Sequence, residues 1–126
     1  MIHINLENHY DLISLLLNEN ELLFNLVLDK CENKNALLNN GETFLTNLFK
    51  ERYSAEIIDS IIDKQIFDAN VTNKSGESPL VLACQNVMVS TVAKIIVKYP
   101  LFPSIKERAI ETAFNIQTEI IRSVLF

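Results

Sequence analysis

The chain has no tryptophan and, among its 126 residues, only two glycines, three prolines, two cysteines and two histidines. Glycine and proline are what tight turns demand. Their scarcity excludes a fold of many short strands and long loops. The Leu, Ile, Asn, Glu and Lys that fill the intervals suit helices with short connections, so the expected fold class is all-α. Cys31 and Cys84 are far apart and lack any CxxC or His-x-Cys context. Neither a metal nor a disulfide is indicated, and two buried, reduced thiols are expected. No apolar stretch reaches the ~18 residues of a membrane span. The opening MIHINLENHY lacks the basic residue and long apolar block of a secretory signal. The apolar ending IIRSVLF is no polar secretion tail. The expectation is a soluble, cytoplasmic protein without a membrane partner.

Catalytic material is equally sparse. His3 and His9 have no Cys or His at ligand spacing, and surface positions are expected for both. Glu19 and Glu21 fall at predicted helix ends. Glu107 and Glu111 accompany Lys106 and Arg108 on what reads as a solvated face. There is no phosphate-cradling glycine loop, no GxSxG and no HExxH. The reading is a non-enzyme with no cofactor and no metal, and the alternative left open is an active site assembled from residues distant in sequence. For nucleic acid the best local case is FKERY at 49–53, yet no basic stripe exists. KIIVKYPLFP at 94–103 reads as a core helix followed by a proline-terminated linker rather than as a membrane surface.

Charge is unevenly spread. The net value is −5, but residues 1–63 carry four basic and eleven acidic side chains, and residues 64–126 seven basic and five acidic. An acidic first half attracts a basic protein surface, and it also serves plain solubility.

What the chain does contain is a repeat. NGETFL at 40–45 answers SGESPL at 75–80, with Gly41 and Gly76 thirty-five positions apart. At the same offset Asn35 answers Asn70, Glu42 answers Glu77, Thr43 answers Ser78 and Leu45 answers Leu80. Each copy continues into a short apolar helix pattern, then a second: Ile57, Ile58, Ile61 and Ile62, or Val92, Ile95 and Ile96. A period in the thirties marks stacked helical units. Glycine at the turn accepts φ > 0 without strain. Thr43 and Ser78 are placed to cap the next helix, and Pro79 fits a first helical turn, where its missing N–H costs nothing. The small pair Ala83–Cys84 permits close helix approach.

The stretch from Asp68 to Ile96 resembles an ankyrin repeat. In DANVTNKSGESPLVLACQN, the residues Asn70, Gly76, Ser78, Pro79, Leu80, Leu82 and Ala83 fall on matching positions, and Cys84 stands for the second small residue. Val81 replaces the usual histidine and Val87 the usual glycine between the helices, and about one extra residue is needed before Val92. Asn35 to Ile62 is a weaker copy, with Phe44 in place of the proline and Leu48–Phe49 in place of the small pair. Together the copies cover about half of the chain.

The flanks read as terminal caps, because an inner unit exposes its stacking face. At the N-terminus two helices break at Asn18 to Asn20, with Leu12, Leu15 and Leu16, then Leu22, Leu23, Leu26 and Val27, as apolar positions. At the C-terminus two more break near Asn115 to Gln117. The expectation is a short, complete ankyrin-like solenoid of four helix pairs, roughly 8–31, 43–64, 78–99 and 104–125. These form one domain of units 8–34, 35–67, 68–102 and 103–126.

The resemblance implies protein binding through turn tips and first helices. The tips are Asn39, Asn40, Glu42, Lys74, Ser75 and Glu77. The first helices add Thr46, Lys50, Val81, Gln85 and Asn86. The expected partner is another protein, a basic one being the case the charge favours, and the free chain is expected to be a monomer. Two narrower readings stay open: a small acidic immunity protein neutralising a bacterial toxin enzyme, and an effector engaging host proteins.

Overall fold

The computed structural model describes residues 9–18, 20–116 and 123–124. Among them there are seven helices and no strand: α1 (His9–Leu17), α2 (Glu21–Asp29), α3 (Phe44–Lys50), α4 (Ala55–Lys64), α5 (Pro79–Gln85), α6 (Val89–Lys98) and α7 (Pro103–Ile116). The expected second helix of the last pair lies mostly outside the described residues; Ser123 and Val124 are helical.

The thirty-five-residue offset is written into the backbone. Gly41 and Gly76 have φ of +84° and +80°. In each turn an N–H three residues before the glycine meets the carbonyl after it: Leu38 N to Glu42 O at 2.7 Å, Asn73 N to Glu77 O at 2.9 Å. The Thr43 hydroxyl accepts from Thr46 N at 3.1 Å, and the Ser78 hydroxyl from Val81 N at 3.1 Å. The Thr46 hydroxyl reciprocates by accepting from Thr43 N at 2.8 Å, which satisfies two free helix-end donors at once. Pro79 occupies the first turn of α5.

The first helices also end alike. Arg52 N donates to Phe49 O and Tyr53 N to Leu48 O, both at 3.1 Å. Thirty-five residues on, Val87 N donates to Cys84 O at 3.1 Å and Met88 N to Ala83 O at 2.9 Å. These are the paired bonds of a helix closed by a left-handed residue, with φ +58° at Arg52 and +54° at Val87. At Val87 the left-handed conformation is thus held under a β-branched side chain.

Helix α3 packs on α5, α5 on α7 and on α6, α4 on α6, and α1 on α2. Helix α5 is thus the central one, and its Ala83 and Cys84 are fully buried. Phe44, where a proline is expected, is also buried and stacks on Phe67 with ring centroids 4.7 Å apart. Ile58, Ile61 and Ile62 of α4 and Val92 and Ile95 of α6 join a single buried cluster. The side chains of Asn35 and Asn70 pin the following connectors, accepting from Asp68 N and Phe102 N, both at 2.8 Å. Across α4 and α6, Asp63 binds Lys94 and Lys98, each at 2.9 Å, and Asp59 accepts from the hydroxyls of Ser90 and Thr91. The Tyr99 hydroxyl donates to Ile62 O at 2.7 Å. Burial pushes that hydroxyl up to about 12.

Helix α2 buries Phe24 and Leu28, while Leu22, Leu23 and Leu26 face outward. The apolar positions surround more of α2 than one helix can cover, so spacing alone cannot say which face meets the core. Both cysteines are buried and free. Burial raises both thiols, Cys84 to about 11. No helix of the described residues is long and apolar enough to cross a membrane.

Candidate functional site

The site is built around Asn73, which is buried. Its side-chain carbonyl accepts from Ser75 N at 3.0 Å and Glu77 N at 2.9 Å, closing the turn onto itself. Its amide nitrogen donates outward, to Glu42 Oε1 at 2.9 Å and Glu77 Oε1 at 3.0 Å. One amide therefore ties the second turn to the first. Lys74 N adds a backbone bond to Gly41 O at 2.8 Å.

Glu77 then acts as a hub. Beyond Asn73 it meets Lys50 Nζ at 3.1 Å and Gln85 Nε2 at 3.4 Å. The Asn73 hydrogen bond, followed by that from Lys50, holds its carboxyl below the ordinary glutamate range against the opposing effect of burial. Glu77 thus reaches the end of α3 and the end of α5 together.

These side chains border a groove of about 560 Å³. Lys50, Ser75, Glu77 and Gln85 line it, and Val81 forms its floor. The far wall is α7, which contributes Arg108, Glu111, Thr112 and Asn115. The Arg108 guanidinium lies over the turn: a Cβ on Gly76 would sit 3.7 Å from Nη1. The lining mixes both signs of charge with amides and hydroxyls. That is an inventory for recognising a polar surface through hydrogen bonds and ion pairs.

The remaining expected residues are dispersed. Asn39 and Lys74 are exposed at the turn tips. Asn40 is spent locally, accepting from Glu42 N at 3.0 Å and donating to Asn47 Oδ1 at 2.8 Å. Asn86 closes the end of α5 by donating to Leu82 O at 2.7 Å. Thr46 corrects the expectation, whereas Val81 lines the groove with little exposed surface. Thr46 is 0% exposed, consumed by the capping box, and Val81 is 4% exposed. Each follows its helix cap by three residues, and that position turns inward.

Sequence reasoning misses Asn73 and the α7 wall. For Asn73 a signal existed: an asparagine opening a turn that closes on glycine. For α7 there was none, because its charges read as a solvated face until α5 is packed against it. Among the described residues no group of three or more His, Cys, Asp or Glu is placed to hold a metal ion. His3 and the side chain of His9 lie outside the described residues. No known protein family, curated protein or solved structure matches the chain.

Proposed function

We propose that the chain is a non-enzymatic protein-interaction module, an ankyrin-like solenoid that binds its partner in the groove between α3, α5 and α7. The contacts α3–α5–α7 and α4–α6 support the solenoid reading, since first helices meet first helices and second helices meet second. One observation carries the binding reading. Asn73 and Glu77 hold turn tip, α3 and α5 in one rigid polar rim facing α7. A rim fixed before binding loses little side-chain freedom on binding.

The test is capture from the native organism's lysate with the wild-type chain, beside Gln85→Arg/Arg108→Glu. A partner held in fixed stoichiometry by the wild type and lost by the variant supports the groove. Equal capture by both, with the variant folded, contradicts it.

The uneven charge favours a narrower second reading, in which the partner is one basic enzyme and this chain its inhibitor. Residues 1–63 hold four basic against eleven acidic side chains. Titrating the captured enzyme's activity against the chain separates inhibitor from adaptor.

A further inference from the structure

We propose a second docking surface, at the α1–α2–α4 end of the molecule, that takes a cationic amphipathic helix of a partner protein. A groove of about 750 Å³ opens there. Leu16, Leu17, Leu22 and Ile57 are its apolar lining, Asn20 and Ser60 its neutral polar lining, and Glu21 and Glu56 its charged groups. Leu17 is 57% exposed and Leu22 73%. Scattered exposed leucines need no explanation, but several converging in one groove do. Leu23 and Leu26, 41% and 51% exposed, carry the apolar face further along α2.

The occupant follows from the charges. Among the described residues no lysine or arginine lines the groove. Lys64 makes only a long ion pair with Glu21, 3.9 Å; it lies over the Phe24 ring, 5.2 Å from the centroid, with 13% of its side chain exposed. The Glu56 carboxylate has no partner among the described residues. Four apolar side chains beside two carboxylates call for an apolar stripe flanked by cations, which is what a basic amphipathic helix presents to a groove. The acidic first half extends that attraction beyond the contact itself. A second copy of the chain fits poorly, since a two-fold contact sets Glu21 and Glu56 against their own copies. An anionic bilayer meets the same carboxylates with its own negative charge. This surface shares no residue with the α3–α5–α7 groove, so either can fail without the other.

The probe is a synthetic helical peptide with leucine on one face and lysine on the other, beside a counterpart with glutamate for lysine. Both are titrated into the full chain while the methyl NMR signals of Leu17, Leu22 and Ile57 are followed. The lysine peptide is expected to shift those methyls, to weaken with added salt, and to lose about three- to tenfold in affinity against Glu21→Gln/Glu56→Gln. Leu22→Ser, at an exposed position, should weaken binding without altering the melt. The glutamate peptide should not bind. The proposal is overturned if both peptides bind alike, if the shifts appear at the Val81 methyls of the other groove instead, or if no signal moves. It is equally overturned if phosphatidylserine vesicles move these methyls more than the lysine peptide does, or if sedimentation shows the same leucines pairing two copies.

Discussion

Asn73 makes four hydrogen bonds to three residues with one buried amide, and this makes its identity hard to exchange. Replacing it with leucine keeps the volume and strands the turn N–H groups that its carbonyl accepts. Asn73→Leu is expected to cost about 1–3 kcal/mol in denaturant unfolding; unchanged stability would remove it from the centre of the site. The left-handed positions make opposite predictions. Gly76 has φ +80° with no backbone crowding beside it, so the cost of a side chain there is conformational. Gly76→Val should destabilise by about 1–2 kcal/mol. Val87 already bears that strain at φ +54° while being 48% exposed. Val87→Gly should therefore raise stability by about 1 kcal/mol, less whatever its half-buried side chain contributes. A thermal melt of the two variants reads both signs, and a loss at Val87→Gly would show that packing outweighs strain there.

At the scale of elements, α4 and α6 are joined by Asp63 between Lys94 and Lys98. The hydrogen bond from Lys94, then that from Lys98, holds the Asp63 carboxyl below the ordinary aspartate range. A carboxyl with a depressed folded pKa adds stability above its unfolded value and loses it as pH falls through the folded one. Wild type should therefore lose more stability than Asp63→Asn between about pH 5 and about pH 2. The group is 40% exposed, so the difference should be small and should shrink further in salt. Parallel pH profiles would show that the bridge contributes nothing. The same element scale separates what the chain spells out from what it does not. Gly41 and Gly76, with the caps Thr43 and Ser78, are local devices whose chemistry is legible in a few consecutive residues. So are the breaks that end α1 and begin α2. The outward leucines of α2 and the α7 wall of the groove were not legible. Their roles depend on which neighbour arrives, and no periodicity records that. Thr46 turned inward for a related reason: on a seven-residue helix packed on several sides, most positions do.

At the scale of the molecule, net charge of −5 is divided so that the acidic excess belongs to residues 1–63. Attraction to a basic partner should appear in the association rate and fall with ionic strength, while the groove sets the lifetime of the complex. The rim organised by Asn73 and Glu77 is the proposed seat of the partner. The most direct measurement is an NMR map of the labelled chain, free and with its captured partner. Shifts concentrated at Lys50, Ser75, Glu77, Gln85, Arg108 and Glu111 are the predicted result. Binding that leaves all six unmoved would contradict it.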